Sequence, residues 1–100
     1  MSTKLSSAEI DKNLEQLNTG TAYKWVISNE KLHKEFIFEN FINAFSFMTR
    51  VAIYAEKANH HPEWFNVYKK VTIDLSTHEA NGITDKDFAL ARIMDKTSGL

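Results

Sequence analysis

The sequence predicts an α+β domain: a single four-stranded antiparallel sheet with three helices packed on one face, in the order α-β-β-α-β-β-α. Three observations predict it. Apolar residues recur at three- and four-residue steps in three separate segments, the middle one uninterrupted by glycine or proline from Glu39 or Asn40 to about Asn59. Between these segments lie two stretches of alternating polar and apolar residues, each with room for a hairpin. The 100 residues are 43% apolar and 25% charged, enough for one core and too few for two, so residues 1–100 read as one domain.

In chain order, residues 1–5 read as a loose arm. Ser6 and Glu9 stand at capping-box spacing, and Ile10, Leu14 and Leu17 follow with helical period until Asn18-Thr19-Gly20 ends the first helix. From Thr21 the pattern becomes alternation, with Tyr23, Trp25 and Ile27 on one face, and Ser28-Asn29-Glu30-Lys31 makes a turn. Leu32, Phe36 and Phe38 then face one way against His33, Glu35 and Ile37. The long second helix carries Phe41, Ala44, Phe45, Met48, Val51, Ala52, Ala55 and Ala58 as its main apolar surface. Phe47 and Tyr54, seven apart, form a second line beside it, expected to be covered by a partner subunit.

Pro62, the only proline, forbids further helix and holds His60 and His61 at a helix-to-strand corner. Residues 65–70 and 71–78 read as two strands with a poorly marked join. In the second, Val71, Ile73 and Leu75 take one face and Thr72, Asp74, Ser76 and His78 the other, so His78 ends a strand on its polar side. Ala80-Asn81-Gly82 turns the chain. Thr84 caps a last helix with Asp87 at its third position, and Phe88, Leu90, Ala91, Ile93 and Met94 supply the buried side. Both halves run helix then two strands, without a sequence repeat, and the open sheet face is expected to be the more polar one.

Composition excludes several functions. The formal charge is −1 with both signs interspersed, so there is no polycationic face for direct nucleic-acid or anionic-lipid binding. With no cysteine there are neither disulfides nor thiolate metal sites, and no long apolar run or signal-like N-terminus is present. The expectation is an intracellular soluble protein located in the cytoplasm, with no membrane partner.

Three of the four histidines, His60, His61 and His78, lie between Glu56 and Asp87. Imidazole is the side chain that donates and accepts protons near neutral pH. Glu56, one helical turn before His60, is placed to hydrogen-bond a ring nitrogen and fix its tautomer. Spacing alone leaves two readings open: a catalytic or ligand cluster, or surface histidines with corner packing. A three-histidine zinc site is disfavoured because no His-Glu-x-x-His helix exists and adjacent rings rarely reach one ion without strain. Ser76 beside His78 lacks the elbow and orienting acid of a serine hydrolase. Trp25 and Trp64 read most simply as sheet packing, and Asp87 as a capping carboxylate.

The string Glu56-x-x-x-His60-His61-Pro62, followed by Tyr68, His78 and Asp87, resembles the signature of the pterin-4a-carbinolamine dehydratases. The resemblance extends through residues 45–52, 55–57, 60–68 and 75–79 and covers the chain from about Trp25 onward. Asn59 stands where relatives often carry Asp, which removes a carboxylate beside His60, and the turn at residues 79–82 is variable in the family. The resemblance implies dehydration of 4a-hydroxytetrahydrobiopterin to quinonoid dihydrobiopterin, recycling tetrahydrobiopterin without a metal or organic cofactor. It implies that His60 and His78 act as the acid–base pair and that His61 positions the substrate. It further implies that Glu56 orients a histidine, that Trp64 and Trp25 line the pocket, and that Ser76 and Thr77 bond the pterin ring as an added strand would. Asp87 belongs to the same signature. Homodimers with sheets joined edge to edge, or homotetramers through the long helix, are implied as well. So is a second role, as a coactivator stabilising the dimerisation helix of a homeodomain transcription factor, with a nuclear location.

Overall fold

Val71, Ile73 and Leu75 extend from one side of a strand, and all three are fully buried, because this strand lies inside the sheet and helices cover that side. The computed structural model describes residues 3–100. In it the elements run α1 (Ser7–Asn18), β1 (Val26–Ser28), β2 (Lys31–Ile37), α2 (Phe41–Ala58), β3 (Glu63–Val67), β4 (Lys70–Leu75), a 3₁₀ turn (His78–Ala80) and α3 (Asp85–Ser98). The strands form one antiparallel sheet in the order β1-β2-β4-β3, with Leu32 opposite Leu75 and Trp64 opposite Ile73. Among the described residues no helix is long and apolar enough to cross a membrane.

The helix starts follow the sequence signals. Ser6 closes a capping box around α1: Glu9 N–H donates to Ser6 Oγ at 3.2 Å, and Ser6 N–H donates to Glu9 Oε1 at 2.8 Å. The backbone bond from Ser6, with a smaller share from its hydroxyl, holds the Glu9 carboxyl below the ordinary carboxylate range. The expected arm falls partly on Met1 and Ser2, which lie outside the described residues. Leu5, at its end, is tied down, donating its N–H to Ile83 O at 2.9 Å and packing against the core.

The first strand is shorter than its pattern suggested. β1 begins only at Val26, Tyr23 is 69% exposed, and Trp25 is buried just before the strand. The cause is Asn18 at the end of α1. Its Oδ1 accepts from Trp25 N–H at 2.8 Å and its Nδ2 donates to Trp25 O at 2.9 Å, so a side-chain amide takes the place of a neighbouring strand. Both hairpins turn on residues with positive φ where no glycine advertises it: Asn29 and Glu30 at +52° and +61° in the first, and Tyr68 at +50° in the second. Asn66 braces the second turn by donating to Tyr68 O and Lys70 O.

Helix α2 buries Ala44, Val51 and Ala55 of the expected stripe but takes in Phe47 where Phe41 and Phe45 were expected. Ala44, Phe47, Val51 and Ala55 face the sheet, and Phe47 sits 5.0 Å from the Phe36 ring and 4.9 Å from Phe38, centroid to centroid. Phe47 is therefore core, not a line left for a partner. Phe41, Ile42, Phe45, Ile53 and Tyr54 are exposed instead, Phe45 at 55%. The periodicity was broad enough to place two adjacent stripes, and only the sheet selects between them.

A charged residue also enters the core. Lys34 occupies an inward position of β2, is 7% exposed, and donates to Asp95 Oδ1 at 2.8 Å, while both Asp95 oxygens accept from Trp25 Nε1 at 3.1 Å. Its ammonium lies 4.7 Å from the Phe36 ring centroid. Replacing Lys34 and Asp95 together by Met and Leu should cost about 1–3 kcal/mol, because the buried Trp25 indole N–H loses its acceptor, whereas Asp95→Leu alone, which also strands the buried ammonium, should cost more, about 3–5 kcal/mol. Urea denaturation of the three variants against wild type measures the difference.

Candidate active site

The corner after α2 sorts two adjacent histidines into opposite environments. Asn59 takes a left-handed conformation (φ 52°, ψ 44°), which Asn tolerates better than most residues, and caps the helix. His60 N–H then reaches back to Ala55 O at 3.0 Å, a closure that folds the chain under the helix end before Pro62 forces it to extend. As a result His60 is buried and His61 is exposed.

His60 Nε2 donates to Asp87 Oδ1 at 2.6 Å. Asp87 has no exposed surface, and its second oxygen accepts from Thr77 Oγ1 and from Thr84 N–H, each at 2.9 Å. Thr77 Oγ1 and Thr84 Oγ1 are 2.6 Å apart. The capping role read for Asp87 is thus real, and the same carboxylate orients His60 with its other oxygen. An acceptor at Nε2 places a proton there and leaves Nδ1 as the ring nitrogen for other work.

Glu56 serves the other histidine. Its Oε1 accepts from His61 Nε2 at 2.8 Å on the surface, so the expected Glu56–His60 contact is replaced by Glu56–His61. The reason is the left-handed Asn59, which turns His60 inward and leaves His61 on the helix side that Glu56 occupies.

At the far end of β4 the strand stops at Leu75, three residues earlier than expected, because Thr77 pairs with Gly82 across the following turn. His78 opens the 3₁₀ turn and is exposed. It lines a cleft of about 580 Å³ together with Ser76, Thr77, Glu63, Lys31 and the side chain of Lys4. A hydrogen bond from Lys31 to Glu63 raises the pKa of the Lys31 ammonium above its ordinary value. Thr77 presents little to a ligand: its hydroxyl is engaged by Asp87 and Thr84, and its N–H and carbonyl by Gly82. Ser76 is the half-buried hydroxyl left at that wall.

The structure therefore joins His60, Asp87 and Thr77 by hydrogen bonds and sets Ser76, Thr77 and His78 around one cleft. His61 and Glu56 form a separate surface pair, two residues from Glu63 of the cleft wall. Trp64 is half-buried against the core, and Trp25 is buried with its indole N–H on Asp95 and does not line this cleft. Thr84, Glu63 and Lys31 were not singled out from the sequence as site residues. The Thr84–Asp87 spacing revealed a cap but contains no sign that the carboxylate has a second partner.

A family model described as pterin 4 alpha carbinolamine dehydratase matches residues 3–97. This chain belongs to the pterin-4a-carbinolamine dehydratase family. The family is one of lyases. A relative from Solibacter usitatus named pterin-4-alpha-carbinolamine dehydratase is 54% identical over 95 residues, covering 95% of each chain. One of the same name from Roseobacter denitrificans is 46% identical and covers 99% of this chain and 100% of its own. Among solved structures, a transcriptional coactivator/pterin dehydratase from Brucella melitensis superposes with a TM-score of 0.87 at 39% identity, covering 97% of this chain and all of its own.

Proposed function

We propose that this protein removes water from 4a-hydroxytetrahydropterin, with tetrahydrobiopterin-type pterins as the substrate class, by histidine acid–base catalysis. In the reaction the C4a–O bond breaks with its electron pair, the leaving oxygen takes a proton, N5 loses its proton, and a C4a=N5 bond forms. Water and quinonoid dihydropterin result, and the reduced pterin can be regenerated for aromatic hydroxylation. One proton donor and one acceptor complete the balance, and no redox step occurs.

The observation that supports this reading most is the buried His60–Asp87 contact, tied through Thr77 to the strand end that carries Ser76 and His78 into the cleft. A carboxylate that fixes one ring nitrogen leaves the other in a defined direction, as acid–base chemistry needs. In this reading His78 and His60 transfer the protons. His61, steadied by Glu56, positions the pterin, Ser76 offers it a hydroxyl, and Trp64 stiffens the strand beside it. Trp25 holds the core rather than the substrate. The cleft volume of about 580 Å³ suits a bicyclic ligand.

The reading is tested by adding the protein, after exhaustive chelation, to freshly generated 4a-hydroxytetrahydropterin. Dehydration well above the uncatalysed rate is expected to survive chelation; activity lost and then restored by zinc would contradict metal-free catalysis.

A second reading rests on α2, whose Phe41, Ile42 and Phe45 stand exposed on one side. Such a face supports self-association into a dimer or tetramer, or the capture of a transcription factor's dimerisation helix, as the coactivator name of the Brucella protein suggests. Size-exclusion elution with and without a helical dimerisation peptide separates these outcomes from a plain monomer.

A further inference from the structure

The sheet is incomplete along one side. β2 runs over Lys31–Ile37, but β1 has only three residues and its last rung sets Val26 against His33. The Asn18 clamp on Trp25 draws the preceding chain away from the sheet at that point. In an antiparallel ladder, alternate residues direct their backbone groups to opposite neighbours. Phe38 N–H bonds Lys69 O, which together with the register turns Lys34 and Phe36 toward β4 and turns Lys31, His33, Glu35 and Ile37 the other way. Beyond His33, the N–H and C=O groups of Glu35 and Ile37 therefore point where the described chain supplies neither a strand nor any other backbone partner. A cleft of about 370 Å³ lies against this stretch, with Phe36, Lys34 and Asp95 on its inner side and Ala22, Tyr23 and Leu100 among its other walls.

We propose that this notch is a strand-addition site for a short, extended, apolar peptide segment of a partner protein. The segment runs antiparallel to β2, in line with β1, and pairs its backbone with Glu35 and Ile37. Unpaired strand groups recognise an extended backbone and little else, since only that presents donors and acceptors at the same repeat. The residue opposite Phe36 places its side chain on the same face as Phe36, over the cleft. That side chain is apolar, because the one buried cation there, Lys34, is already matched by Asp95 at 2.8 Å and a further charge would be unpaired. The notch is bounded by β1 at one end and the loop of residues 20–23 beside it, so it admits a single short strand rather than the sheet edge of a second copy.

Amide hydrogen exchange of the whole protein tests the proposal, using blocked five-residue peptides of alternating threonine and valine with valine, leucine, phenylalanine or tyrosine at the centre. The Glu35 and Ile37 amides are expected to exchange freely in the protein alone and to slow at least ~tenfold with one or more of these peptides, while the already bonded Phe36 amide changes little. Ala22→Arg, which fills the notch from its rim, is expected to weaken peptide binding at least ~fivefold without altering pterin turnover. Three results would each overturn the proposal: no protection by any of the four peptides, equal binding by a backbone N-methylated version, or protection in the free protein that rises with protein concentration, which would assign the notch to a second copy.

Discussion

Replacing His78 by Ala is expected to lower kcat/KM for the carbinolamine by about 10²–10⁴-fold, the ordinary contribution of a positioned acid or base, with no change in thermal midpoint beyond about 2 °C. The two halves of this expectation come from separate facts. His78 lines the cleft, and it is exposed, with no side-chain hydrogen bond to any described residue that its removal would break. Adding His60→Ala should eliminate what catalysis remains. That second change differs in kind, because it also leaves Asp87 buried without the imidazole it orients. A loss of turnover confined to the double variant would transfer the burden of proton transfer from His78 to His60. Turnover retained in the double variant would exclude histidine acid–base catalysis at this site.

Asp87→Ala is expected to destabilise the protein by ~3–5 kcal/mol, a drop of roughly 12 °C or more in thermal midpoint for a domain of this size. One fully buried carboxylate accepts three hydrogen bonds, from His60, Thr77 and the Thr84 backbone, and it closes the capping box of α3. Deleting it leaves the buried His60 ring nitrogen and the Thr77 hydroxyl to find new partners, and frays the first turn of the helix. Asp87→Asn separates the two roles. It keeps the volume and one acceptor, so it should recover part of the stability, yet with the acceptor used by the cap it cannot hold Nε2–H of His60. We expect kcat to remain low in that variant while the midpoint rises. Thermal melts beside steady-state kinetics measure both. A midpoint within a few degrees of wild type for Asp87→Ala would show that the cluster bears little load.

How much of this was legible in the sequence varies with the range of the interaction. Ser6 with Glu9 and Thr84 with Asp87 marked both helix starts, since a capping box is complete within four residues. The four strands and their order along the chain followed from alternation, as did the buried face of β4. Failures came where a distant partner decides. Asn18 captures Trp25 and shortens β1, Lys34 is admitted to the core by Asp95 from α3, and the sheet chooses Phe47 over Phe45 on α2. Tyr68 turns a hairpin with none of the usual turn residues.

At the site the same rule holds. His60, His61 and His78 could be singled out as chemistry-bearing residues, and the corner at Pro62 was evident. Which carboxylate served which histidine was not, because a left-handed Asn59 exchanges the two rings between interior and surface. Asp87 was read as a cap, and its bond to His60, 27 positions away in the chain, is visible only in three dimensions.

The central claim is that His78 at the strand end and His60 held by Asp87 flank one bound pterin. A crystal structure of the protein with a stable pterin product analogue tests it most directly. The account predicts the C4a–N5 edge within hydrogen-bonding reach of His78 and of the free Nδ1 of His60, with Ser76 at the ring. A pterin bound elsewhere, with both imidazoles turned away from that edge, would contradict it.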